Sequence, residues 1–145
     1  MAAAKYNIII EQGTDFALDI QLKNADGSEI NLHTGTTAVA IDGNGDSARL
    51  KAFIKRTPET DNINDGAGSP TDISFKFEKL AVVSGDINSG AIGSSGRLRL
   101  KMTDSLTKLL PPDNLQYDLF RSDGTSWFKD LEGKITIIEQ ITVPV

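Results

Sequence analysis

The 145-residue chain has no cysteine, one histidine and one tryptophan, and each scarcity closes a route to function. Without cysteine there is no disulfide framework, no thiolate metal site and no thiol nucleophile, although the redox compartment stays open. A single histidine, His33 in NLHTGT, leaves no second imidazole for a zinc cluster, and histidine catalysis would have to run through it alone. Long apolar runs are missing too. MAAAKYNIIIEQG holds three consecutive isoleucines, far short of the ~20 apolar residues of a membrane span, and no basic region precedes an apolar one as in a signal peptide. The expectation is a soluble chain that begins near Met1, carries no targeting signal and is made in the cytoplasm. Blocks of one charge sign are also absent. Fifteen basic against twenty acidic residues give a net charge of −5 spread along the chain, so neither nucleic acid nor an anionic membrane is an expected partner. Neither G-x-x-x-x-G-K-[ST] nor G-x-G-x-x-G occurs, and no G-x-S-x-G elbow presents a serine, so phosphate cradling and serine nucleophiles lack support.

What is there reads as one domain spanning 1–145, long enough to bury roughly 70% of its unfolded surface without staples. Phe16, Leu18, Ile20 and Leu22 recur at every second position, which predicts a strand with one wet face. The Asp26-Gly27 turn and INL (30–32) close it into a hairpin, and TTAVAI (36–41) with ARLKAFIKR (48–56) predicts a second hairpin with DGNGDS at its tip. Ile73, Phe75 and Phe77, then Leu98, Leu100 and Met102, alternate in the same way. Two long loops, 57–71 and 79–96, separate these strands, and the second, with four glycines, is expected to be flexible. TDSLTKLLPP (103–112) switches to helical spacing, with Thr103 or Asp104 as a possible cap and Pro111-Pro112 as a stop. LQYDLFR (115–121), WFKDL (127–131) and GKITIIEQITVPV (133–145) return to strand. Eight or nine short strands and one short helix predict an all-β fold: an antiparallel, immunoglobulin-like β-sandwich.

Asp42, Asn44 and Asp46 alternate as oxygen ligands do in a calcium loop, yet the sixth position is Ser47 and the twelfth Phe53, where Gly and Glu are required. The expectation is a polar turn that uses no metal, with Asn44 and Asp46 free to touch a neighbour. Arg97, Arg99 and Lys101 share one strand face, read as an outer face kept soluble by charge. Asp113, Asp118, Asp130 and Glu132 lie near turns or on strands, where solvated charge is a simpler reading than an acid/base pair. No catalytic, metal or cofactor residue is assigned. Large exposed residues are better signals. Trp127 and Phe128 are adjacent, so on a strand they face opposite sides and one of them leaves the core. Tyr6 and Ile138 join them as candidate interface anchors.

Taken in order, EQGTDF (11–16), NADGSEINLHTG (24–35), SLTKLLPPDNLQYDL (105–119), LEGKITI (131–137) and TVPV (142–145) resemble the small β-sandwich virion proteins of tailed bacteriophages, the group of tail-fibre collar and head-tail accessory proteins. That group shows an E-x-G-x-x-F start, a D-G…(I/L)-x-L-T-G hairpin, a Leu-rich helical turn, Y-D-L and L-x-G-x-(I/V)-x-(I/V). The resemblance implies a non-enzymatic virion component of the tail or baseplate region, present in several symmetric copies and contacting other virion proteins in assembly or fibre attachment. It also implies structural roles for Gly13, Gly27, Gly35 and Gly133 at turns and for Phe16, Leu32, Tyr117, Leu119 and Leu131 in the core. His33 ahead of Thr34-Gly35, and the lengths of 57–71 and 79–96, depart from the pattern. An alternative of another class is a stand-alone carbohydrate- or receptor-binding module, with Trp127, Phe128 and Tyr6 as stacking residues.

Overall fold

The computed structural model describes residues 4–55, 73–112 and 114–139. Two sheets face each other. The larger contains β1 (Ala4–Lys5), β2 (Ile8–Glu11), β4 (Leu50–Lys55), β7 (Asn114–Ser122) and β8 (Trp127–Ile138). In it β4, β7 and β8 are neighbours, and β1 and β2 lie along the free side of β8. The smaller has the order β3 (Phe16–Gln21), β6 (Arg97–Met102), β5 (Lys76–Lys79). Second, fifth and fourth strands against third, sixth and seventh is the strand arrangement of an immunoglobulin-like sandwich once β1 and β2 count as one broken first strand.

Period-two patterning puts the apolar set inside. Leu98, Leu100 and Met102 of β6 pack across the sandwich from Leu115, Tyr117 and Leu119 of β7, with Ile54 and Ile135 also fully enclosed. No disulfide ties the sheets, and aromatic rings fill the centre. Phe75 meets Tyr117 edge-on at 6.0 Å and Phe16 at 5.8 Å. The cationic face of β6 is neutralised by its neighbours: Arg99 pairs with Asp19 at 2.7 Å and Lys101 with Glu78 at 3.2 Å.

Several expectations give way. The chain's first strands pair with β8 in parallel, Ile8 opposite Ile135 and Ile10 opposite Ile137, so the sandwich is not wholly antiparallel. Local alternation says nothing about direction. Residues 36–41 form no strand. Val39 donates its N–H to Leu32 O at 2.9 Å instead, and the partner of 50–55 is β7. The first hairpin shrinks to one bridge, Lys23 to Glu29, because Leu22 and Leu32 turn their N–H groups to Gly96 and Gly93. The loop expected at 57–71 lies outside the described residues, as does the end of the final strand beyond 139.

The helix is one turn, α1 (Asp104–Thr107), and neither Thr103 nor Asp104 caps it with its side chain. Asp15 does so from the other end of the chain, accepting the Asp104 N–H at 2.8 Å. Gln12 Nε2 donates to Leu110 O at 2.7 Å and Gly13 N to Thr107 Oγ1 at 3.1 Å, so EQGTDF is the socket for the helix. Gly13, Gly27 and Gly35 sit in turns with positive φ, but Gly133 lies inside β8. A Cβ there would collide with the Tyr6 carbonyl, so glycine is what lets β1 and β2 lie against β8.

Candidate functional site

In β4 the buried residues Leu50, Ala52 and Ile54 alternate with Lys51, Phe53 and Lys55, which project from the outer face of the larger sheet. Gln116, Asp118 and Phe120 of β7 share that face, as do Trp127 and Lys129 at the start of β8. Cross-strand register then builds a ladder. Phe53 and Phe120 meet edge-to-face at 5.9 Å, Lys129 Nζ lies 5.6 Å from the Phe120 ring, Lys55 Nζ 5.8 Å from Phe53, and Lys51 Nζ 5.2 Å from Trp127. Two phenylalanines, three lysines and Trp127, which is 46% exposed, form a continuous amphipathic strip.

At the other end of the strip Asp118 stands between Phe53 and Glu132, its register partners. Desolvation raises its carboxyl above the ordinary value, with Glu132 adding to the rise while Lys129 and Lys55 oppose it. Asp118 Oδ1 is buried and takes no hydrogen bond from a described residue. Glu132 is held by Lys129 at 3.3 Å.

The ladder gathers one of the six candidate interface residues. Trp127 is its end; Phe128, 43% exposed, points to the other side of β8, where the Arg121 guanidinium lies 5.6 Å from its ring. Tyr6 stands at the break between β1 and β2, 51% exposed, its carbonyl accepting the Tyr117 hydroxyl at 2.6 Å. Burial pushes that Tyr117 phenol up to about 12, which keeps it a neutral donor. Ile138 is exposed at the far end of β8, opposite exposed Glu11 of β2. Trp127, Phe128 and Tyr6 therefore share no face and make no common stacking platform.

Asn44 and Asp46 are exposed, but the turn is not a free hairpin tip. Asp42 Oδ1 accepts the N–H groups of Asn44 and Asp46, Gly45 is buried with its carbonyl receiving the Phe77 N–H at 2.9 Å, and Asp46 pairs with Lys76 at 2.7 Å. The turn extends the β5 edge, and its oxygens serve the fold. His33 is exposed with its N–H on Asn31 Oδ1. Asp130 pairs with Arg121, and Asp113 lies outside the described residues. Among the described residues no helix is long and apolar enough to cross a membrane.

Lys51, Phe53, Phe120 and Lys129 were not separable from ordinary strand residues in sequence. The one signal was parity: Phe53 is out of step with Leu50 and Ile54.

The glycine-rich loop is a second surface. Glu29, buried, accepts the Ile87 and Asn88 N–H groups at 2.9 and 2.7 Å, and Asp86 takes a bidentate bond from Arg97 and the Val83 N–H. Gln21 Nε2 bridges the two carboxylates at 3.2 Å each. The loop is thus clasped to the sandwich, with Val83, Ile87 and Ile92 exposed on it.

No protein-family model and no curated protein matches the chain. Among solved structures, that of the NK cell receptor NKp44, described as a triggering partner in natural cytotoxicity, is similar at a TM-score of 0.41 and 10% identity over 94% of this chain and 99% of that one. The sandwich assignment rests on the strand order above, not on that likeness.

Proposed function

We propose that the chain is a non-enzymatic structural component of a tailed-bacteriophage particle, an adaptor or collar in the tail or baseplate region that meets its protein neighbours through the outer face of the larger sheet. The order of motifs from EQGTDF to LEGKITI supports the phage assignment. The observation that carries the docking role is the strip of Trp127, Phe120 and Phe53 interleaved with Lys51, Lys129 and Lys55. Large rings whose faces are already met by cations offer area with little entropy left to lose, the chemistry of an interface anchor. Neighbours in the particle are other virion proteins and further copies of the chain, arranged by closed symmetry.

Mass spectrometry and electron microscopy of purified particles test the reading. Multi-copy stoichiometry is expected, and absence from the particle would end it. Within the particle, Trp127→Ala with Phe120→Ala should block incorporation while circular dichroism of the isolated variant stays unchanged; normal incorporation would move the docking face elsewhere.

A further inference from the structure

In the smaller sheet β3 is an open edge. An immunoglobulin-like sheet covers the free side of this strand with the first strand, but here β1 and β2 lie along β8, and β3 pairs with β6 alone. Register fixes which groups are left over. Leu22 N donates to Gly96 O at 2.9 Å, so the even residues of β3 turn their backbone groups toward β6, and Ala17 and Asp19 turn theirs to the free side. Both residues are exposed, and neither makes a backbone hydrogen bond there among the described residues. The core is open along the same line. Phe16, Leu18 and Ile20 face inward yet are only partly buried, whereas Leu98, Leu100 and Met102 beside them on β6 are at most 2% exposed. Next to Ile20 a cavity of about 260 Å³ reaches across to Ala4 and Leu131 of the larger sheet. Unpaired amides at every second residue, above an apolar layer that lacks its cover, fit an added strand.

We propose that β3 accepts an extended segment of a neighbouring protein, apolar at every second position and basic between. Residues of the segment opposite Ala17 and Asp19 point outward as those two do, and the residues between them point inward, over Leu18 and toward the cavity beside Ile20. Charge on the edge selects the outward residues. The Asp19 side chain is 54% exposed although Arg99 pairs with it at 2.7 Å, and Asp15 stands exposed just before the strand. Lysine or arginine on the incoming segment meets these carboxylates, whereas β3 of a second copy would bring like charges together. This interface goes beyond the docking role of the larger sheet, because it lies on the other sheet and requires neither Trp127 nor Phe120.

The test is an NMR titration of the isotope-labelled full chain with a blocked synthetic peptide that alternates valine and lysine over the length of β3. Two comparison peptides carry the same residues in block order, or glutamate in place of lysine. At about 10 mM, enough to fill a site of ~1 mM dissociation constant, the alternating lysine peptide should shift amides confined to 16–21 and to the cavity wall at 4 and 131. It should also slow hydrogen exchange of the Ala17 and Asp19 amides several-fold. The block-order peptide cannot turn all its valines inward and should bind several-fold more weakly, as should the glutamate peptide. Ala17→Pro removes a free N–H without breaking a bond to β6, so this variant, folded by circular dichroism, should lose the shifts. Asp19→Lys should weaken the lysine peptide and not the glutamate one, which decides the matter should the proline variant fail to fold. Trp127→Ala should bind as the native chain does. The proposal is overturned if the alternating lysine peptide gives no shifts, if either comparison peptide binds as tightly, or if folded Ala17→Pro or Asp19→Lys binds the lysine peptide unchanged. It is equally overturned if the Ala17 and Asp19 amides are already protected in the free chain, because a segment of the chain itself or of a second copy then fills the edge. In each of these cases the docking role of Trp127 is untouched, since it is read by incorporation into the particle.

Discussion

Asp130 is one residue more than the register allows: Leu119 faces Leu131 while Phe120 faces Lys129, so β8 bulges at Asp130. The bulge turns its carboxylate onto Arg121, at 2.7 Å from Nε and 3.3 Å from Nη2, with both side chains 6% exposed. Such a pair adds little net stability, but removing one partner strands a buried charge. Asp130→Ala should therefore cost about 3–5 kcal/mol in urea denaturation, and the double change Asp130→Leu with Arg121→Met should recover most of it. A double variant as unstable as the single would mean that the bulge geometry, not the charge, is at fault. Asp118 is the opposite case, a carboxylate whose folded value is raised by burial. It favours the fold only while protonated, below the ordinary carboxylate range, and that contribution is lost as pH rises through its folded value. Asp118→Asn should then be more stable than the native chain at neutral pH and indistinguishable from it in acid. Equal melting curves at both pH values would show that Asp118 is effectively solvated.

The glycine-rich connection shows how an element that looks flexible becomes fixed. Four glycines within 85–96 suggest a loose insertion, yet Gly93 and Gly96 are buried, and two carboxylates hold the loop. A Cβ at Gly96 would approach Leu22 O within 2.5 Å, so glycine here serves close approach of backbones. Asp86 is held well below the usual carboxylate range, first by the Arg97 hydrogen bonds and then by the Val83 N–H. Its depressed value gives stability that is present above the ordinary carboxylate range and lost only as pH falls through the folded value. Glu29→Gln replaces one acceptor oxygen by a donor, leaving either the Ile87 or the Asn88 N–H unmatched. Hydrogen exchange at those two amides should accelerate at least about tenfold while β6 and β7 keep their protection, tenfold being about 1.4 kcal/mol of local opening. Uniform acceleration would instead mean that the clasp supports the whole sandwich. Strands with clean alternation, β3, β6 and β7, were legible in sequence because one face of each is wet. The clasp was not, because Glu29 and Asp86 lie 57 positions apart and each looks like any turn-flanking acid. The parallel docking of β2 was hidden for a similar reason: Ile8, Ile9 and Ile10 show apolar character, but nothing in them names β8 as partner.

At the scale of the whole molecule, charge is distributed unevenly in a way that composition conceals. Among the described residues, Lys5, Lys51, Lys55, Lys129 and Lys134 share the outer face of the larger sheet with Asp118, Glu132 and, at its far end, Glu11, so a chain with a net charge of −5 carries a cationic excess on this face. The sandwich itself was readable from period-two patterning, whereas this face was not, because it is assembled from residues on separate strands whose order only the fold supplies. A basic aromatic face on an acidic body favours head-to-tail contact between copies, a heterologous interface that closes into a ring when the rotation permits. Attraction of this kind acts over about a Debye length, ~10 Å at 0.1 M salt, and speeds association more than it slows dissociation. Lys51→Glu with Lys129→Glu reverses the strip beside Trp127 and Phe120 without touching a buried residue, so the melting temperature of the isolated domain should stay within a few degrees, as for exposed changes worth about 0.5 kcal/mol. Sedimentation velocity should show native-chain association that weakens as salt is raised and is absent in the double variant at low salt. Association that persists unchanged in the variant would assign it to the apolar residues of the clasped loop, Val83, Ile87 and Ile92, whose contacts salt would leave intact.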